Sequence, residues 1–256
     1  MEFAQVDGVR LEIQRIAAPA GGPRAPIVFL HEGLGSVAMW RDWPAQVCAA
    51  TGRGGLVYSR RGYGGSEPIA DVRGSGRHRP DYMHIEAYEM LPALLRELRI
   101  ERPVLLGHSD GGTIALLHSA SHPVEACIVM APHVIVEDVS IASIEQARTA
   151  YLENGLRERL GRYHADVDNA FWQWNDIWLD RAFRSFDIRA ATREIAAPVL
   201  AIQGEDDPYG TLRQIEEIGP TRGPIERVVL PKCGHSPHRD QPETTIAAIK
   251  NFLAAR

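Results

Sequence analysis

Six short runs of the chain are apolar at almost every position: Ile27 to Leu30, Gly55 to Tyr58, Val104 to Leu106, Cys127 to Met130, Val199 to Ile202 and Val228 to Leu230. An alternating strand buries one face, whereas a run apolar throughout is buried on both, so the pattern predicts a parallel sheet covered by helices. Residues 3–6 and 9–16 instead alternate around Asp7 and Gly8, which predicts an antiparallel hairpin ahead of the sheet. The sheet should hold about eight strands.

Between these runs the spacing predicts helices over 39–50, 84–98, 111–122, 211–218 and 242–255. In the last, Ile246, Ile249, Phe252 and Leu253 make one apolar stripe, and Pro242 stands at the start, where a missing N–H costs nothing. Residues 133–197 break the alternation, being helical in pattern, rich in Trp and Arg and without a convincing strand. They predict a helical cap or lid inserted after the sixth strand, leaving 1–132 and 198–256 as the core. Residues 71–82, with Gly74, Gly76, Pro80 and three arginines, predict a long mobile loop.

Composition narrows the function classes. At 256 residues, 45% hydrophobic and 24% charged, the chain suits one domain with a single large core and not a disordered or fibrous one. A net charge of −5 argues against a nucleic-acid partner, since phosphate binding needs clustered Lys and Arg. The N-terminus has no basic stretch leading into an apolar one, and no run approaches the ~18 apolar residues of a membrane helix. A cytoplasmic protein without membrane association is therefore expected. Cys48, Cys127 and Cys233 are too scattered for a disulfide framework or a metal site and read as buried, reduced residues. Cys233 lies close to His235, but no base follows it at a recognisable spacing.

The chemistry begins at Gly107-His108-Ser109-Asp110-Gly111, a G-x-S-x-G pattern placed directly after a buried run and before a helix. A tight strand-to-helix turn holds a serine hydroxyl out of the chain in a strained conformation, and the flanking glycines leave room for it. The same turn aims a helix N-terminus at a developing oxyanion, with the Asp110 N–H as first donor. Alone, the five residues also fit an ordinary glycine-rich turn or a phosphate-binding one. His235 follows Gly234 in a loop between the last strand and the C-terminal helix, above the edge that presents Ser109, and is the preferred base. Its rival, His238, is expected to face solvent or to help start the helix. Val199 to Gly204 runs into Glu205, Asp206 and Asp207. Asp207 is favoured as the acid that orients His235 because Pro208 restricts it to extended backbone, with Asp206 as a substitute and Glu205 a solvated loop charge.

These stretches together resemble the α/β-hydrolase superfamily, in particular compact bacterial members such as small esterases, meta-cleavage-product hydrolases and proline iminopeptidases. The likeness spans nearly the whole chain and is carried by Phe29 to Ser36, Ser59 to Ser66, the turn at Ser109, Gly204 to Asp207 and Gly234-His235. It implies a mostly parallel α/β sheet, the chain order Ser, Asp, His for the catalytic residues, and a second oxyanion donor at Gly33, with Leu34 as fallback. It also implies that 133–197 is the family's variable cap. The sequence departs from the pattern at Glu32, where glycine is common, and at Ser59, where aspartate is common. Glu32 is either a salt-bridged structural residue or a group favouring a cationic or hydroxyl-bearing substrate. Dehalogenases and epoxide hydrolases of this superfamily carry aspartate where Ser109 stands, so those chemistries are not expected.

The expected activity is hydrolysis of a carboxylic ester or lactone through an acyl-enzyme on Ser109, with no metal or organic cofactor. Carbon–carbon hydrolysis of meta-cleavage products and acyl-CoA thioester hydrolysis use the same residues, and a ligand receptor is the reading from outside enzymology. Phe171, Trp174 and Trp178 share one helical face, so Trp174 and Trp178, with Leu34, are candidate substrate contacts for an apolar or aromatic small molecule, or else pin the cap. Arg73, Arg77, His78 and Arg79 are either solvated or recruit an anionic substrate. A homodimer is compatible with this chain.

Overall fold

Alternation along each strand decides which helices cover which face of the sheet. Val28, Leu30, Leu105 and Val129 point to one side and join Leu91, Ile114 and Leu117 in one apolar cluster. Ile27, Phe29, Leu106 and Ile128 point to the other and join Trp43, Val47 and Phe252 in a second. Both faces are dry, as the uninterrupted apolar runs require.

A computed structural model of the chain describes residues 1–19 and 24–254. Among these residues, eight strands form one sheet: β1 (Glu2–Val6), β2 (Val9–Ile16), β3 (Ile27–Leu30), β4 (Gly55–Tyr58), β5 (Val104–His108), β6 (Ala126–Met130), β7 (Val199–Gly204) and β8 (Ile225–Leu230). Their order is β1-β2-β4-β3-β5-β6-β7-β8. β2 pairs antiparallel with β1 and β4, and the pairs from β4 to β8 are parallel. The hairpin at Asp7-Gly8 and the mostly parallel sheet are as the pattern predicts.

Several boundaries differ. The predicted helix 39–50 is a short turn, Ala38–Trp40, and a helix, Trp43–Thr51, separated where Arg41 takes φ 54°. The predicted helix 84–98 begins at Tyr82 and contains a wide π turn at Glu86–Met90, just ahead of Pro92, whose missing N–H interrupts the regular ladder. Only Arg213–Glu216 of 211–218 is α-helical. β8 starts earlier than its apolar run because it is an edge strand, where Glu226 and Arg227 are tolerated. The C-terminal helix runs Pro242–Ala254, and residue 255 lies outside the described residues.

Between β6 and β7 the chain forms helices Asp138–Glu153, Leu156–Leu160, Val167–Trp178 and Arg189–Thr192, with a 3-10 turn at Arg181–Ser185 and an isolated bridge from Ile135 to Asp187. Residues 71–82 are tethered, not free. Arg73 pairs with Asp176 at 2.7 Å and lies 3.9 Å from the Trp172 ring, and Arg77 pairs with Asp180 at 3.0 Å. His78 stacks on Tyr82 and bonds Gln173. Among the described residues, no helix is long and apolar enough to cross a membrane.

Candidate active site

Parallel strands end on one rim, so the register dictates which loops meet. Leu30 lies opposite Gly107, His108 opposite Met130, and Gly204 opposite Leu230. The loops after β3, β5, β6, β7 and β8 therefore converge, and they carry Gly33, Ser109, His133, Asp207 and His235.

Ser109 takes φ 53° and ψ −120° between β5 and the helix Asp110–Ser121. Left-handed backbone is strained for a residue with a Cβ and is tolerated where neighbours hold it. Here the Ser109 N–H donates to Met130 O at 2.9 Å, and Thr113 N–H donates to Ser109 O at 3.0 Å. The turn is close-packed: a Cβ at Gly107 would strike the backbone of Gly111, and one at Gly111 the backbone of Leu30. As first residue of its helix, Asp110 has an N–H with no partner one turn back.

The His235 Nδ1 lies 2.9 and 2.8 Å from the two carboxylate oxygens of Asp207. A carboxylate only accepts, so Nδ1 carries the proton and Nε2 of the neutral ring is left as the basic nitrogen. Asp207 is itself fixed by Gln203 Nε2 at 2.7 Å and the Tyr209 N–H at 2.8 Å. Burial alone would raise its carboxyl, but the hydrogen bonds it accepts from His235 and the Tyr209 N–H outweigh that and hold the pKa below the usual value. Glu205 and Asp206 are exposed.

Ser109, His235, Asp110, Gly33, Leu34, Trp174 and Trp178 line one cavity of about 200 Å³. A Cβ at Gly33 would collide with the Trp174 indole, so only glycine lets that ring lie over the loop. Phe171, the third aromatic of the stripe, stacks on Tyr151 with ring centres 3.6 Å apart. The stripe thus serves both readings, one ring packing within the insertion and two facing the cavity.

Glu32 is a paired carboxylate on the cavity wall. Its oxygens lie 3.5 Å from His108 Nδ1 and 3.4 Å from Arg239. Burial pushes its carboxyl up, yet the neighbouring His108 and the Arg239 guanidinium prevail and hold it well below the usual carboxylate range. His108 Nε2–H donates to His235 O at 2.7 Å, so the residue before Ser109 braces the loop of His235. The expectation that His238 faces solvent is wrong. It is 4% exposed, with its ring 4.9 Å from Trp40 and 5.5 Å from Trp43, where it covers two indoles that pack on Phe29 of the central strand β3. Cys48, Cys127 and Cys233 are free and buried.

Four contributors escaped the sequence reading. Arg60 donates to His31 O at 2.6 Å and to Glu32 O at 3.2 Å, and its guanidinium lies 3.9 Å from Asp110. Tyr82 donates to Asp110 at 2.7 Å and accepts from Trp178 Nε1 at 3.1 Å, which joins the insertion to the serine turn. Tyr209 and His133 line the cavity. Arg60 lies within a motif already singled out, Tyr209 stands two residues past Asp207, and His133 follows a strand end. For Tyr82 the sequence held no signal.

The sequence profile of the Alpha/beta hydrolase family matches residues 27–248. An sn-1-specific diacylglycerol lipase of Mus musculus is 25% identical, covering 89% of this chain and 80% of that protein. An esterase of Mycobacterium tuberculosis is also 25% identical, covering 100% of this chain and 93% of its own. The crystal structure of the enol-lactonase from Burkholderia xenovorans LB400 superposes with a TM-score of 0.75 at 20% identity, covering 99% of this chain and 100% of that one. With the profile spanning every strand from β3 to β8, the chain belongs to the α/β hydrolase family.

Proposed function

We propose that this protein is a serine hydrolase that cleaves a carboxylic ester or lactone of a small apolar or aromatic molecule. Ser109 attacks the carbonyl, His235 takes its proton at Nε2, and Asp207 holds the ring and stabilises the imidazolium. The N–H groups of Asp110 and Gly33 receive the oxyanion. The imidazolium gives that proton to the departing alcohol as its bond to the carbonyl carbon breaks and the acyl-enzyme forms. Water, deprotonated by the regenerated His235, then attacks the acyl carbon, and the proton returns to Ser109 Oγ as the acid leaves. The observation that carries this reading is the Asp207–His235 pair facing the same cavity as a strained Ser109. The walls from Leu34, Ile144, Trp174, Trp178 and Tyr209 favour an apolar acyl or alcohol group. An esterase and an enol-lactonase among the similar proteins favour oxygen esters.

Ser109→Ala should reduce p-nitrophenol release from a short p-nitrophenyl ester to background, and the wild type should be labelled at Ser109 by a fluorophosphonate probe. Turnover retained in the variant would move the chemistry elsewhere. An unlabelled wild type would favour a receptor.

A further inference from the structure

His133 lines the cavity with Ser109 and His235, yet the reaction above gives it no part. It leaves β6 through the left-handed Ala131, φ 47°. The Thr113 hydroxyl fixes its main chain from both sides, donating to His133 O at 2.8 Å and accepting from His133 N at 2.9 Å. Trp178 lies edge-on with its ring centre 4.8 Å away, and the His235 ring is 5.8 Å away. The imidazole is thus set in place before a ligand arrives.

Burial, aided by His235 and opposed by Asp207, pushes the His133 pKa down to about 3, so the ring is neutral, with one N–H and one lone pair. Its Nδ1 is buried without a partner. Orphaned N–H groups are rarer in folded proteins than orphaned acceptors, which puts the lone pair on Nδ1 and the proton on Nε2. The acidic groups of the site do not take its proton: Asp207 is engaged by His235, Gln203 and the Tyr209 N–H, Glu32 is flanked by His108 and Arg239, and Asp110 accepts Tyr82 on Oδ2 while its Oδ1 makes no hydrogen bond at all. The cavity therefore holds a donor that the protein leaves to a ligand.

Building on the hydrolase reading, we propose that His133 determines specificity: its Nε2–H donates to a second, uncharged oxygen of the substrate close to the scissile carbonyl, as in 3-oxo or 3-hydroxy acyl esters. A carboxylate at that place is disfavoured, because a neutral imidazole brings no countercharge and the ionised Glu32 stands on the same wall. The oxygen-bearing ester gains a hydrogen bond that a plain alkyl ester lacks.

The test uses Ser109→Ala protein, so that binding is read without turnover, and follows the fluorescence of Trp174 and Trp178. Ethyl 3-oxohexanoate should bind about tenfold more tightly than ethyl hexanoate, the worth of one good hydrogen bond. In Ser109→Ala/His133→Leu the ratio should fall below about twofold, and in Ser109→Ala/His133→Gln, whose amide restores an N–H, it should return. Equal affinities in Ser109→Ala, a preference that survives His133→Leu, or monoethyl malonate, whose carboxylate stands at the same place, binding as tightly as the 3-oxo ester would each overturn the proposal. If the binding preference behaves as expected while wild-type Ser109 resists the fluorophosphonate, the hydrolase reading falls and what stands is the hydrogen bond from His133 to the ligand's second oxygen.

Discussion

Asp207 receives four hydrogen bonds from three groups, with both oxygens used to hold the His235 Nδ1–H. An amide in its place keeps the size but offers an N–H to the ring, which favours the tautomer whose proton sits on Nε2 and removes the base. Asp207→Asn should lower kcat for a p-nitrophenyl ester by about 10³- to 10⁴-fold, with KM within about threefold. A loss of less than about tenfold would move the acid to another residue, Asp206 being the candidate the sequence leaves open. Ser109, His235 and Asp207 were legible because each chemical type sits at the end of an apolar run. Glu32 was legible only as an oddity, since its partners come from distant parts of the chain, His108 from the end of β5 and Arg239 from a helical turn after β8.

At the level of elements, loop 71–82 depends on the helix Val167–Trp178. Asp176 meets Arg73 at 2.7 Å and Arg148 at 3.3 Å while itself mostly buried, and it accepts Arg77 through its carbonyl. The arginines are half exposed, so each pair adds only about 0–1 kcal/mol to stability. Local order is the larger effect. Asp176→Ala should speed tryptic cleavage at Arg73 or Arg77 severalfold with little change in the melting temperature, and an unchanged digestion pattern would show that the loop is held by other contacts. The sequence displayed these arginines but not their partners. Charges a hundred residues apart carry no periodicity, whereas a strand or a helix announces itself within ten residues.

Across the whole molecule, several histidines are held neutral by burial, His118 and His133 fully and His78 in part. Burial pushes His78 and His118 down to about 4 and His133 down to about 3. In the unfolded chain each takes up a proton near pH 6.5. Between those values the unfolded state binds more protons, so the stability these groups contribute is complete above pH 6.5 and is lost as the pH falls toward 4. Each contributes at most about 1.4 kcal/mol per pH unit. Calorimetry should find a melting temperature that is level above pH 7 and declines steadily from pH 6.5 to 4.5, whereas a level curve throughout would contradict the buried neutral state. The layered architecture was readable because full burial of both sheet faces leaves an unbroken apolar run. The seating of His238 on Trp40 and Trp43 was not, since it depends on packing between the two ends of the chain.

The rim where five loops meet has a bearing on biosynthesis. The strained hydroxyl turn follows β5, whereas the imidazole follows β8, the last strand of the sheet. On the proposed mechanism, a nascent polypeptide still emerging from the ribosome holds the serine without its proton acceptor, and a protein truncated before residue 235 would be chemically silent however well its remaining strands had assembled.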